Sequence, residues 1–451
     1  MLRRELFLLV HEFGDPSFYS MYRYLLQNQW KPYPELLAQQ EAALRAMIRF
    51  SWEQVPYYRR LFRQLNLDPT DIRTVQDLRK LPVLTKDTIR QHWGEFTPAN
   101  LASQKYHDDV TSGTSGTPFP FRLSTHVRFL GAALGYRGWG YAGYEPGDSM
   151  VHLWGQVEKS PLRRALLQIS RNIRQISVME MDDRHMEEIV QTLNATRPAF
   201  IRAIPSGIYF LACWMSLHGK SVPPARAIFT TTEKLYPQER ARVEEVFGAR
   251  IYDGYGLYDG GLSAFECPEH AGLHVDTERS ILEVVDSGGN PQETGCGRIL
   301  ATSLHNHALP FLRYETGDMG EISDETCACG RGARLLTEVM GRSFDYVVTP
   351  EGKYVAAGYF MMFFWKTWKE IREYQIVQDR PETLVCNLVV EEHVSRKDLE
   401  ALEQQIRDHA HQASDQWNVE IRYLDSIDRT KTGKFRFVIN RMKPPPATAG
   451  T

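Results

Sequence analysis

Apolar positions along the first hundred residues recur at helical spacing. Leu36, Leu37, Leu44, Met47 and Ile48 form one such stripe, which breaks at Val55-Pro56. The pattern predicts a mostly helical segment over residues 1 to about 105. From about 110 to 340, strand-like apolar runs alternate with helical stretches. Met186, Ile189, Val190 and Leu193 predict a helix that closes before Pro198, and Ala225 to Thr230 reads as a strand. Gln238 to Phe247 predicts a helix stopped by Gly248, followed by a short strand at Arg250 to Tyr252. Alternation of this kind predicts a largely parallel sheet covered on both faces.

The character changes after Gly341. Glu373 to Asp379, Leu384 to Val390 and Val419 to Leu424 read as strands. Between them, Ser395-x-x-Asp398 opens a helix with a capping-box pattern, and Leu399, Leu402 and Ile406 form its apolar stripe. The expected architecture is α/β: a large domain of sheets covered by helices, plus a small α+β C-terminal lobe. Its parts are a helical region at 1–105, a core at 106–344, the lobe at 345–443 and a Pro-rich solvated tail at 444–451.

Lys plus Arg number 53 against 56 Asp plus Glu, a formal charge of −3. This balance gives no support for a nucleic-acid surface or a polybasic membrane anchor. No segment approaches the roughly 20 apolar residues of a membrane-spanning helix, and a cytoplasmic location is expected. Six cysteines in 451 residues do not make a disulfide framework. Cys213, Cys296 and Cys386 stand alone. Cys267 and His274, with Cys327-x-Cys329, are chemically suited to tetrahedral Zn²⁺. Reduced thiols without metal are the alternative, and His270 is a rival ligand.

The densest candidate chemistry is Thr111-Ser112-Gly113-Thr114-Ser115-Gly116-Thr117-Pro118. Its glycines let backbone N–H groups turn inward and its hydroxyls add donors, a combination suited to a polyphosphate. The lysine of a Walker A loop is missing. Four further segments follow: Thr231-Thr-Glu233-Lys-Leu with Tyr252-Asp253-Gly-Tyr255-Gly256-Leu-Tyr-Asp259; Arg313-Tyr-Glu-Thr-Gly-Asp318; Gly341-Arg342-Ser-Phe-Asp345; and Arg429-Thr-Lys-Thr-Gly433-Lys434-Phe-Arg436. In this order they resemble the motifs of adenylate-forming enzymes, the superfamily of acyl-CoA synthetases, luciferases and adenylation domains. Val55-Pro-Tyr-Tyr58, Leu81-Pro-Val-Leu-Thr-Lys86, Glu266-Cys267 with Gly272-Leu-His274, and Cys327-x-Cys329-Gly-Arg331 narrow the resemblance to the phenylacetate–CoA ligase family, especially its capsular-polysaccharide members.

The resemblance implies an ATP- and Mg²⁺-dependent ligase that activates a carboxylic acid as an acyl-adenylate and passes it to coenzyme A. An amine or a carrier-protein thiol is the alternative acceptor, and a non-catalytic ATP-binding protein of envelope-polymer assembly is the alternative of another class. The resemblance places the phosphates on Thr111–Thr117, the ribose on Asp318, and adenine and the α-phosphate near Glu233, Asp253, Tyr255 and Gly256. Arg342 is expected at the ribose or the hinge, and Asp345 at the pivot of a mobile lobe. Lys434 is the expected catalytic cation, with Lys431 as its competitor. Asp259, one methylene shorter than the family's Glu, is the expected Mg²⁺ contact. Some members of the resembled family hold a structural metal at the Cys/His positions.

Overall fold

The computed structural model describes residues 2–442 except 112–118, 156, 159, 180, 287, 343–345, 352–353, 365, 368 and 431–434. Five helices, α1 (Leu2–Gly14), α2 (Phe18–Asn28), α3 (Tyr33–Gln54), α4 (Pro56–Gln64) and α5 (Lys86–Gln91), precede an antiparallel pair, β1 (Tyr106–Thr111) and β2 (Phe119–Ser124). Helix α6 (Thr125–Gly140) follows. Strands then alternate with helices: β3 (Met150–Trp154), α7 (Pro161–Arg171), β4 (Ile173–Ser177), α8 (Asp183–Thr196), β5 (Phe200–Ala203), α9 (Pro205–Leu217), β6 (Ala227–Thr231), α10 (Pro237–Phe247) and β7 (Ile251–Gly256). Gly248 closes α10 with a left-handed φ of 60°, which a residue with a side chain rarely adopts.

After Gly256 the crossover helices stop. Seven strands follow without an intervening helix: β8 (Ser263–Glu266), β9 (Leu273–Val275), β10 (Ser280–Val285), β11 (Pro291–Gln292), β12 (Gly295–Ser303), β13 (Tyr314–Ser323) and β14 (Leu335–Arg342). All twelve strands from β3 onward form one sheet, ordered β11-β10-β12-β13-β14-β9-β8-β7-β6-β5-β3-β4. Only the pairs among β3 to β7 are parallel. The expectation of a largely parallel sheet is corrected here: short loops join neighbouring strands antiparallel, whereas a parallel pair needs a crossover.

A short pair, β15 (Tyr346–Val348) and β16 (Tyr354–Ala356), leads into a smaller lobe. It contains α11 (Ala357–Phe364), β17 (Ile371–Arg380), β18 (Thr383–Val390), α12 (Arg396–Ala413), β19 (Asn418–Tyr423) and β20 (Val438–Asn440). Its sheet runs β19-β18-β17-β20. Ser395 caps α12 as its sequence predicts, accepting from the Asp398 amide at 3.3 Å. One apolar core runs through both bodies, joining Phe210 and Trp214 of α9 to Phe364, Tyr374, Phe435 and Val438. Arg372 of β17 adds an ion pair to Asp183 of α8 at 2.9 Å.

Arg313, the first residue of the third motif, is a structural tie. It is 3% exposed and holds a left-handed φ of 52°. Its guanidinium donates to the Glu283 carboxylate at 3.1 Å, the Leu81 carbonyl at 2.9 Å and the Gly289 carbonyl at 2.7 Å. Burial pushes the Glu283 carboxyl up to about 7 even with this cation beside it. Removing one partner of a buried pair strands the other, at a cost of about 3–5 kcal/mol. Arg313→Met is therefore expected to lower unfolding free energy by that amount in urea titration; an unchanged midpoint would contradict the assignment.

Candidate functional site

A cleft of about 950 Å³ lies between the large sheet and the small lobe. That is roomy enough for a nucleotide with part of its co-substrate, since ligand cavities span roughly 300–1,000 Å³. The carboxyl ends of β6 and β7 open into it, the usual ligand position in sheets of this type. Glu233, Asp253, Tyr255, Gly256 and Asp318 line its wall, and Thr430, Phe435 and Arg436 line it from the lobe side. Five residues expected to bind nucleotide, drawn from two of the motif segments, thus meet around one space.

Asp318 enters from β13 and is 8% exposed. Gly317 before it takes φ 83°, turning the chain so that the Asp318 amide donates to Thr316 Oγ1 at 3.0 Å. The Tyr255 hydroxyl donates to Asp318 Oδ2 at 2.8 Å. Burial, and then the Asp318 charge, hold the Tyr255 phenol well above its ordinary range, so it stays a donor. Asp253 accepts from Thr230 Oγ1 at 2.7 Å, and burial pushes its carboxyl up to about 6. Sequence reasoning missed the neighbouring cleft wall. There Arg240 donates to both Glu266 oxygens at 3.0 Å, and His270 Nδ1 lies 3.1 Å from Glu266. Their pairing is tertiary, and only Glu266 stood in a noted motif.

Glu233 spans the two bodies. One carboxylate oxygen accepts from the Ser206 amide at 3.0 Å, at the start of α9; the other accepts from the Phe435 amide at 2.6 Å. Burial raises its carboxyl pKa, and the two amides and Arg429 oppose the shift. The Phe435 ring packs edge-on to Phe210 at 5.2 Å, and Arg429 covers both rings while pairing with Glu373 at 2.9 Å. Phe435 follows Lys434 in the chain, so the terminal motif's outgoing end is tied to the cleft.

Asp259 lies apart from this wall. Its carboxylate is 4% exposed, accepts from the Tyr314 hydroxyl at 2.6 Å, and stands 3.9 Å from Lys86 Nζ. Thr111 ends β1, and Arg342 ends β14 in register with Asp318. Ser112, Gly113, Thr114, Ser115, Gly116 and Thr117, with Asp345, Lys431 and Lys434, lie outside the described residues.

Cys267, His274, Cys327 and Cys329 come together elsewhere, with all four ligand atoms within 4.8 Å of one another. Cys267 and Cys327 sulfurs are 3.6 Å apart, and Cys329 Sγ is 3.2 Å from His274 Nε2. His270 is outside this group, its Nδ1 near Glu266 and its ring tilted by 42° to that of Tyr252. Arg331 covers the cluster's edge, its guanidinium 3.9 Å from the Tyr141 ring centre.

The Glu233 contacts generate a direct test. Glu233→Ala leaves two buried amides without acceptors, a loss of about 1–3 kcal/mol at the seam. Limited proteolysis of the chain around Phe435 is expected to accelerate with little change in the sites cut elsewhere. Equal cleavage rates in variant and parent would contradict the seam's role.

Comparison with known proteins fits this geometry. The CapK C-terminal domain family matches residues 347–441. Phenylacetate-coenzyme A ligase of Thermus thermophilus is 28% identical over 328 residues, covering 70% of this chain and 72% of its own. Protein CapK of Staphylococcus aureus is 21% identical over 398 residues, covering 86% of this chain and 85% of its own. The structure of 2-hydroxyisobutyryl-CoA ligase in the postadenylation state with R3-HIB-AMP aligns with a TM-score of 0.72 at 19% identity, over 92% of this chain and 91% of that one. The chain has the fold of the adenylate-forming CoA ligases, carries a CapK C-terminal domain, and has phenylacetate–CoA ligases among its relatives.

Proposed function

We propose that this protein is an ATP-dependent acid–thiol ligase. A carboxylate oxygen of the acid attacks the α-phosphorus of ATP, pyrophosphate leaves, and an acyl-adenylate remains. The thiolate of coenzyme A then attacks the acyl carbon and AMP leaves. The observation that carries the proposal is the meeting of Glu233, Asp253, Tyr255, Gly256 and Asp318 with the terminal-motif residues Thr430, Phe435 and Arg436 around one cleft.

In this scheme the two Asp318 oxygens accept from adjacent ribose hydroxyls, and the Tyr255 hydroxyl keeps that carboxylate oriented. The loop Thr111–Thr117 grips the β- and γ-phosphates, and Arg342 contacts the ribose or orders the hinge. Lys434 bridges carboxylate and phosphate oxygens as negative charge gathers in the transition state. Asp345 lets the lobe turn between the two half-reactions. Magnesium supplies charge neutralisation on the phosphates when bound. Asp259 is already engaged by Tyr314 and near Lys86, so no step is assigned to a metal through it.

The Cys267, His274, Cys327 and Cys329 set suits a closed structural Zn²⁺ site, four ligands of the right type converging at one point. Elemental analysis of the purified protein is expected to give one zinc per chain, lost in Cys327→Ser together with thermal stability. Metal-free protein of the same melting temperature would remove zinc from the account.

Carboxylate-dependent ATP–pyrophosphate exchange tests the main proposal. Lys434→Ala is expected to slow it by about 100-fold or more while ATP still binds. Normal exchange in that variant would take the lysine out of its role. ATP binding without exchange over a broad acid panel would favour a non-catalytic protein. Offering CoA, amines and a carrier protein to one activated acid identifies the acceptor.

A further inference from the structure

Two arginines, Arg279 buried and Arg202 partly buried, lie outside any ion pair among the described residues. Arg202 of β5 stands in a row across the parallel strands, His152–Arg202–Phe229–Tyr252, whose side chains share one sheet face. Two residues further along β7 on that face is Gly254, which lines the cleft, so the row's Tyr252 end lies about 7 Å from its wall, with Arg202 two strands further in. The Arg202 guanidinium is covered by indole faces, 4.4 Å from the Trp154 ring centre and 5.0 Å from Trp139. Arg279 is 6% exposed and lies beneath α6, where Gly131 leaves it room: a Cβ there would stand 3.1 Å from Nη1.

Neither guanidinium has a hydrogen bond or ion pair among the described residues, and both Nε atoms are buried without a partner. Tyr258, 65% exposed and three residues past Tyr255, is an electrostatic neighbour of both. Asp276 is within electrostatic reach of Arg279, but Arg137 and Ser263 engage its carboxylate. Arg171, whose Nε is also buried and unpartnered, adds a third positive charge near His152 and Tyr136.

Arginine cannot discharge itself by losing a proton. A buried, unpaired cation costs several kcal/mol, and ring faces offset only part of that. Burial pushes both guanidinium groups below their ordinary range, and burial with Arg202 and Arg171 holds His152 neutral. Both cations thus neighbour the exposed Tyr258, and the carboxylate near Arg279, Asp276, is already engaged elsewhere.

From this geometry we propose that Arg202 and Arg279 receive a second anionic group on the acid substrate, so that the enzyme activates a carboxylic acid carrying a distal carboxylate, phosphate or sulfonate. This assignment rests on the ligase function proposed above. In it, one carboxylate reaches the α-phosphorus while the distal anion docks between the two guanidinium groups and excludes uncharged analogues. An aryl or alkyl monoacid leaves the cations unpaired, and binds correspondingly less well.

The test is exchange kinetics on matched pairs, such as hexanoate with adipate and phenylacetate with 4-carboxyphenylacetate. The diacid is expected to lead by roughly 10- to 100-fold in kcat/KM, the size of a buried charge-assisted contact. Arg202→Met should erase that preference while retaining exchange with the monoacid, and Arg202→Lys should restore part of it. Diacid binding, read as a thermal shift without ATP, should disappear in Arg202→Met and Arg279→Met. Monoacids preferred by the parent, or a diacid preference that survives Arg202→Met, would overturn the assignment and leave the ligase intact. An altered KM for CoA with unchanged acid discrimination would assign the arginines to the acceptor and likewise overturn it. Failure of every acid to support exchange would sink the ligase function and this assignment with it.

Discussion

The Glu233 carboxylate accepts backbone N–H groups from opposite sides of a cleft, and the geometry of the site depends on it. One amide, Ser206, opens a helix of the large body; the other, Phe435, belongs to the small lobe's last segment. A carboxylate suits this place, because its two oxygens accept from two N–H donors at once. Around that seam the Phe210–Phe435 contact and the Arg429–Glu373 pair exclude water. The terminal motif thereby reaches a cleft wall built some two hundred residues earlier in the chain.

The motifs divide into parts that build and parts that face the cleft. Arg313 and Asp318 are neighbours in one motif, yet Arg313 ties three segments in the interior while Asp318 lines open space. Asp259 likewise braces Tyr314 beside Lys86, while Tyr255 and Gly256 of the same motif line the wall. Close packing explains the economy. Positioning a carboxylate to a fraction of an ångström requires a rigid support, and residues of the same motif supply both.

Much of this was legible before any coordinates. Helix period placed α8, α10 and the helix behind the Ser395 cap, because each buries one stripe, and apolar runs placed β17 and β18, which are buried along most of their length. Cys267, His274, Cys327 and Cys329 were readable as a set because few other roles suit those residue types. The switch from parallel to antiparallel pairing after Gly256 was less legible, since apolar strand runs look alike in both. The Glu233–Phe435 bond and the unpaired Arg202 and Arg279 were not legible at all. Whether a charge is paired is settled by partners far away in sequence.

A crystal structure of the protein with a non-hydrolysable acyl-adenylate analogue measures the central claim most directly. The account predicts the ribose hydroxyls within hydrogen-bond distance of both Asp318 oxygens, the adenine beside Tyr255 and Gly256, and the Glu233 contact to the small lobe in view next to it. A nucleotide bound away from this cleft, with no contact to Asp318, would contradict it.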